Sequence, residues 1–176
     1  MRFALRGPGR MQNTYVNECF IDEIAAAVGA DPVEYRLRHL KDERGAECIR
    51  ACAKLAGRQP RPSPSRSANG GDRATGRGFS YVFYDNSRTY VAMACEVDVS
   101  RSTGRVRATR FWVAHDCGLV VNPDGTKAQI EGSVIQTLSR TLLEELTWDR
   151  SRVTSIDWKT YPKSSRSPLS RRSRSC

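Results

Sequence analysis

The sequence predicts an α+β fold, because three hydrophobic patterns follow one another along its 176 residues. Helical spacing dominates the first third, a period of two takes over from about Gly78 to Asp116, and helical spacing returns from about Asp124 to Glu145. We therefore expect a helical N-terminal third, an antiparallel sheet, and a long helix packed on that sheet. A chain of this length can bury the core of one ordinary domain.

The helical third is predicted to hold three helices. The first covers residues 14–28 and stops at Gly29. The second starts at Asp31 and Pro32, since an aspartate cap followed by a first-turn proline is a common helix start. A weaker third helix covers residues 46–56. The apolar residues of the first two helices recur at helical spacing: Phe20, Ile24 and Val28, then Val33, Leu37 and Leu40.

The sheet is predicted from two alternating segments, 90–99 and 105–115, with a turn between them. The long helix is predicted to start at Asn122, Pro123 and Asp124, which form a common helix-start pattern. A short hairpin is expected around residues 149–152. The alternating apolar set of the first strand is Val91, Met93, Cys95, Val97 and Val99, and the stripe of the long helix is Ile130, Val134, Leu138 and Leu142.

Composition divides the chain into four segments. Residues 1–57 form the helical part of the domain, and residues 78–161 form the sheet and long helix of the same domain. Between them, residues 58–77 are rich in Ser, Pro and Gly without an apolar period, so they are predicted to be a linker or loop. Residues 162–176 form a tail with one sizeable aliphatic side chain, which we expect to be disordered.

The formal charge of +10 is concentrated in two of these segments. Residues 159–176 carry +6 and residues 54–77 carry +5, which leaves the rest of the chain at −1. The net charge is therefore weak evidence for a nucleic-acid-binding surface on the folded part. No apolar run reaches the roughly 18 residues of a membrane span, and the N-terminus lacks the apolar stretch of a secretory signal, so we expect a cytoplasmic protein.

The cysteines and histidines show no metal-binding pattern. The six cysteines form no C-x-x-C pair and no Cys/His ladder with zinc spacing, which indicates reduced thiols. Cys48 and Cys52 share a helix face, and two thiols without further ligands are expected to line a core. We predict no metal site among these residues.

Three consecutive polar residues, His115, Asp116 and Cys117, resemble a catalytic cluster at first sight. They lie at the end of a strand, where successive side chains point to opposite faces and do not converge on one substrate atom. We therefore expect no catalytic role for them. The following Gly118 and the helix start at Asn122 form an arrangement that favours a nearby phosphate, although this arrangement is common.

Several blocks of the sequence resemble, in the same order, the C-terminal part of a known subunit: LRGPGRMQNTYVNECFIDEIAAAVGADPVEYRLRHL, GRGFSYVFY, TYVAMACEVDVSRSTGRVRATR and HDCGLVVNPDGTKAQIEGSVIQTLSRTLLEEL. That subunit is the large, molybdopterin-binding subunit of the xanthine dehydrogenase and aldehyde oxidase family. The resemblance runs from about Arg2 to Tyr161 and is nearest to bacterial members of the isoquinoline 1-oxidoreductase β-subunit type.

The resemblance implies molybdenum hydroxylase chemistry on an aldehyde or N-heterocycle. It implies a molybdopterin cofactor, in its cytosine dinucleotide form, and electron transfer to a [2Fe-2S] centre on an iron–sulfur small subunit. Arg6 and Gly7 match the family loop whose main chain borders the molybdenum site, and Gln129 of KAQIEG matches the glutamine that hydrogen-bonds molybdopterin. A simple Gly-Pro-Gly turn and an exposed helical glutamine remain the structural alternatives.

The sequence also departs from the family pattern. It contains neither the Gly-rich molybdopterin loops nor the G-x-G-E type motif that supplies the catalytic glutamate, and it lacks the iron–sulfur cysteine pattern. We therefore expect a fragment of a site that is inactive by itself, with no catalytic residue, and a tail translated out of frame after Pro162.

Two alternatives stay open at this stage. The Arg/Ser-rich tail SSRSPLSRRSRSC is typical of a basic RNA-binding or interaction protein, although no RNA-recognition aromatic motif precedes it. A scaffold or decoy module derived from an enzyme is the other alternative.

Overall fold

The structure is a computed structural model that describes residues 9–64, 71–84, 89–157 and 159–161. Its helices and strands, in chain order, are α1 (Arg10–Ala27), α2 (Pro32–His39), α3 (Glu43–Leu55), β1 (Arg73–Tyr84), β2 (Thr89–Ser100), β3 (Val106–Asp116) and α4 (Pro123–Leu142). The α+β class and the order of helices, sheet and long helix are confirmed. The expected packing of the long helix on the sheet is not seen, because the extensive helix-to-sheet contacts among the described elements are made by α3. The expected tail of residues 162–176 lies outside the described residues, as do Arg6 and Gly7.

The three strands form one antiparallel sheet in the order β1-β2-β3. The predicted β2–β3 hairpin is confirmed, but the pairing shifts register between Glu96 and Val97. At this bulge the Thr109 hydroxyl donates to the Glu96 carbonyl over 3.1 Å. The bulge inserts one extra residue into β3, which strict alternation does not predict. Because of it, Phe111 and Val113 lie on the same face of the sheet as Ala108.

The sheet begins earlier than the sequence predicts. Strand β1 starts at Arg73, inside the segment 58–77 that was expected to be a linker. The first half of β1 has no alternating apolar residues, so its strand conformation depends on pairing with β2. Arg73 pairs with Asp98 over 2.6 Å and Arg77 pairs with Glu96 over 2.8 Å. These cross-strand contacts are long-range in sequence, which is why local patterning missed them.

Helix α3 packs against β2 and β3 and provides the centre of the core. Ile49 and Cys52 are fully buried, and β2 offers small side chains to them, Ala92 and Ala94. The third helix was predicted to be weak, yet it is the helix most closely packed on the sheet. The buried cluster consists of Val33, Cys48, Ile49, Cys52, Ala56, Phe79, Tyr81, Tyr90, Ala92 and Ala94.

The long helix α4 turns most of the predicted stripe away from solvent. Leu138 is buried, and Ile130 and Val134 are half-buried, whereas Leu142 at the end of the helix is exposed. The predicted short hairpin after α4 is confirmed by a bridge between Trp148 and Val153.

Helix α1 turns a different face inward from the one predicted. Of the predicted stripe, Phe20 and the capping residue Val28 are exposed and Ile24 is half-buried, whereas Ala25 is buried. The inward face carries Glu18 and Asp22, which both pair with the buried Arg36 of α2. Charge pairing therefore orients α1, and a hydrophobic stripe alone gave the wrong face.

Among the helices described, none is both long and apolar enough to cross a membrane.

Substitution of two helical glycines by alanine is expected to change the free energy of unfolding in opposite directions. A methyl group at Gly45 would overlap the Tyr81 hydroxyl, whereas a methyl group at Gly132 would meet no atom within 4 Å. We expect Gly45→Ala to destabilise the chain by about 1–3 kcal/mol through overpacking. Gly132→Ala should stabilise it by roughly 0.5–1 kcal/mol through helix propensity.

Chemical denaturation of the two variants beside the wild type measures both effects. Adding Tyr81→Phe to Gly45→Ala removes the overlapping hydroxyl and should recover part of the loss. A Gly45→Ala variant as stable as wild type would contradict the close approach of α3 to β1.

Candidate cofactor-binding site

The sequence places one candidate cofactor-binding residue inside the described structure, Gln129. It lies in the second turn of α4 with its side chain exposed. The Ser133 hydroxyl donates to the Gln129 main-chain carbonyl over 2.7 Å, so this part of the helix surface is ordered by its own hydrogen bonds. A primary amide carries both a donor and an acceptor, which suits the amide-like edge of a pterin ring.

Gly132 lies one turn beyond Gln129 and has open space where a side chain would be. The helix surface beside the Gln129 amide is therefore open at the place where Gly132 lacks a side chain. The polar amide and the open surface beside it are compatible with a pterin ligand.

Side chains of the chain itself occupy the N-terminus of α4. The Asn122 side chain accepts a hydrogen bond from the Gly125 amide over 2.9 Å, and Asp124 lies in the first turn. The cap satisfies one free N–H group, and the carboxylate opposes a second anion at the same helix end. The strand–glycine–helix arrangement that favours a phosphate in general is therefore poorly suited to one here.

The three polar residues at the end of β3 lie in different surroundings. The His115 Nε2 atom lies 2.7 Å from the Thr89 hydroxyl, and its Nδ1 atom is buried without a partner among the described residues. Asp116 points to the other face of the sheet and pairs with Arg44. Cys117 is half-buried beyond the strand end. This geometry does not assemble a nucleophile, a base and an orienting group.

Asp116 belongs to a polar network that joins the sheet to α3. Arg44 donates to both Asp116 oxygens over 2.9 and 2.8 Å, and these hydrogen bonds hold the pKa of Asp116 below its usual range. The buried Tyr90 lies under the Arg44 guanidinium and donates to Asp42 over 2.9 Å. The network is absent from the sequence prediction, because Arg44 and Asp116 lie 72 residues apart.

A second polar cluster holds the three elements α1, α2 and β1 together. Arg36 is 5% exposed and pairs with Glu18 over 3.0 Å and with Asp22 over 2.8 Å. Glu18 also accepts a hydrogen bond from the Tyr81 amide over 2.7 Å. Burial raises the pKa of Glu18, although the Arg36 charge acts in the opposite direction. Glu18, Arg36 and Tyr81 line a pocket of about 360 Å³.

The sequence did contain a signal for this cluster. Arg36 stands three residues after Val33 and four before Leu40, on the apolar stripe of α2. A charged residue on a buried stripe requires a partner of opposite charge, which points to the acidic residues of α1.

The cysteines of α3 have a structural environment. The Cys48 thiol donates to the Ala114 carbonyl over 3.3 Å and the Cys52 thiol donates to the Trp112 carbonyl over 3.4 Å. Burial raises the pKa of Cys52 to about 11, which keeps the thiol protonated and unreactive. No group of three or more metal-ligating side chains is found within the described residues.

Residues 21–162 match the molybdopterin cofactor-binding domain family. The match covers most of the sequence, so the chain belongs to this family of cofactor-binding domains. The resemblance seen in the sequence is thereby confirmed, and Gln129 lies within the matched segment.

The relatives belong to the xanthine dehydrogenase family. The chain is 42% identical over 164 residues to a nicotinate dehydrogenase subunit of Pseudomonas putida, covering 90% of this chain and 14% of that protein. It is 36% identical over 159 residues to the beta subunit of isoquinoline 1-oxidoreductase of Brevundimonas diminuta, covering 90% and 19%. It is 35% identical over 77 residues to xanthine dehydrogenase 2 of Arabidopsis thaliana, covering 44% and 5%. The chain therefore spans less than a fifth of the length of these relatives.

The buried imidazole of His115 gives a pH prediction. Burial lowers the pKa of His115 below 6.5, whereas the neighbouring Asp116 carboxylate acts in the opposite direction. As the pH falls below 6.5, His115 binds a proton in the unfolded chain but not yet in the native chain, so the free energy of unfolding should fall. The fall should level off once the pH is below the pKa of the native imidazole. His115→Gln should remove this component.

Proton NMR of the His115 ring measures the pKa directly, and Asp116→Asn should lower it further. The stabilising effect of Asp116 itself is lost only as the pH falls below about 4, whereas that of His115 begins to be lost below 6.5. A His115 midpoint at or above 6.5 would contradict the buried environment.

Proposed function

We propose that this chain supplies one wall of the molybdopterin site in the large subunit of a molybdenum hydroxylase. The observation that carries the proposal is the exposed Gln129 amide, which projects from α4 beside the open space at Gly132. Its position within the family match supports a hydrogen bond from this amide to the pterin. Arg6 and Gly7 are proposed to contribute main-chain contacts beside the molybdenum.

The chemistry that the bound molybdenum cofactor supplies is transfer of a water-derived oxygen to a substrate carbon, with removal of a hydride. We propose an aldehyde or N-heterocycle as the substrate, which agrees with the names of the relatives that act on nicotinate and isoquinoline. The residues of this chain bind and orient the cofactor, and none of them is proposed to accept the substrate proton.

Electron transfer to a [2Fe-2S] centre on an iron–sulfur small subunit is part of the same proposal. Two of the relatives are named as individual subunits, which implies that those enzymes contain further subunits. The cytosine dinucleotide form of the cofactor and a cytoplasmic location are proposed on the family resemblance.

The RNA-binding alternative has less support. It depends on the tail, and two arginines of the sheet are already paired with carboxylates: Arg73 with Asp98 and Arg77 with Glu96. Arginines neutralised in this way contribute little to phosphate binding.

The cofactor role of Gln129 can be tested in a hybrid subunit. In this hybrid, residues of the chain replace the aligned segment of the Pseudomonas putida relative. Gln129→Ala removes a polar partner worth about 1–3 kcal/mol, so the molybdenum and pterin content per subunit should fall several-fold after dialysis. Cys117→Ala is the matched control and should retain the cofactor. Equal and large losses from both variants would restore Cys117 as a candidate.

The 176-residue chain alone is expected to have no hydroxylase activity. It contains the Gln129 wall of the site and no proposed proton acceptor. Incubation of the purified chain with molybdopterin cofactor, an N-heterocycle and a dye acceptor provides the measurement. Dye reduction above the rate without protein would show that the proposal is wrong.

A further inference from the structure

We propose that Arg44 and Asp116 are positioning residues, which fix the turn that leads into α4 and thereby place Gln129 for cofactor binding. The inference rests on the proposed function of Gln129. It adds a role for two residues that lie outside the cofactor-binding motifs.

The pair forms a bidentate bridge between two elements that are distant in sequence. Arg44 Nε lies 2.9 Å from Asp116 Oδ2, and a terminal guanidinium nitrogen lies 2.8 Å from Oδ1. Arg44 is in the first turn of α3, and Asp116 is the last residue of β3. Two parallel hydrogen bonds fix orientation as well as distance, unlike a single contact between flexible charges.

The core holds the arginine in place. Its guanidinium lies 4.8 Å from the centroid of the Tyr90 ring, and Tyr90 is 1% exposed. The Tyr90 hydroxyl donates to Asp42, whose other oxygen caps α3 at the Gly45 amide over 3.1 Å. The Arg44 side chain is 47% exposed, but its guanidinium is stacked on a buried ring at a capped helix start, and these contacts restrict its orientation.

Asp116 connects Arg44 to the turn that leads into α4. Its Oδ1 atom also accepts a hydrogen bond from the Gly118 amide over 2.8 Å. Gly118 has φ of +76°, a conformation that redirects the chain and that side chains rarely adopt. From this point the chain reaches the cap at Asn122, and Gln129 follows in the second turn of α4.

Apolar packing holds this turn only weakly. Leu119 is 92% exposed and Val121 is 89% exposed. The direction of the chain between the sheet and α4 therefore depends on the polar contacts of Asp116. Loss of the bridge should leave the core intact and release the turn.

The first experiment measures amide hydrogen exchange in the full chain. Arg44→Gln and Asp116→Asn should each speed exchange of the Gly118 amide, which donates to Asp116, by about tenfold, which corresponds to the loss of one charge-assisted hydrogen bond. The double variant should not exceed the larger single effect. Arg44→Lys keeps the charge without the fork and should show an intermediate effect.

Arg50→Gln is the matched control, because Arg50 forms an exposed pair with Glu43 on the same helix. It should leave exchange of the Gly118 amide unchanged. Thermal melts of all variants check that α3 and the sheet remain folded.

The second experiment measures cofactor dissociation from the hybrid subunit. Arg44→Gln and Asp116→Asn should accelerate loss of the pterin about as much as they accelerate exchange, and Arg50→Gln should not. The inference is overturned if exchange of the Gly118 amide is unchanged in folded variants. It is also overturned if the cofactor is retained in these variants while Gln129→Ala releases it. If Gln129→Ala and the unaltered hybrid behave alike, or the unaltered hybrid takes up no cofactor, the proposed function itself fails.

Discussion

The close packing of α3 on the sheet is the contact on which the rest of the structure depends. Ala92 and Ala94 present little more than a methyl group, so the helix residues Ile49 and Cys52 reach the backbone of the strands and are fully buried. The short distance also lets the cysteine thiols donate to carbonyls of β3. Small residues on one surface and medium ones on the other give this packing, and an enlargement of either would separate the layers.

Polar contacts then attach the peripheral helices to the core formed by α3 and the sheet. Asp31 caps α2 through the Val33 amide and pairs with Arg58, which follows α3. Arg36 attaches α1 through two carboxylates. A buried arginine with its partners is costly to desolvate, so such a cluster specifies one arrangement more than it adds stability. It explains why α1 can leave apolar side chains exposed and still have a defined orientation.

Much of the fold was predictable from local patterns. The cap at Asp31, the β2–β3 hairpin and the long helix all follow from capping residues or periodicity within a few turns of chain. The failures share a physical cause. The start of β1 at Arg73, the bulge at Glu96 and the inward face of α1 are each decided by residues distant in sequence. Strand pairing and ion pairs override the local pattern there, and no window along the chain contains both partners.

The candidate site divides in the same way. Gln129 was identified through the family resemblance, because an exposed glutamine on a helix has no signature in composition or periodicity. Two observations made in the structure, the open space at Gly132 and the bridge from Arg44 to Asp116, give that glutamine a physical setting. A ligand-binding side chain must stay exposed to reach its ligand, so it gains little from packing and must be aimed by its backbone. We propose that in this chain the contacts of Arg44 with Tyr90 and Asp116 fix the direction of the backbone before α4, and with it the position of the exposed Gln129 amide.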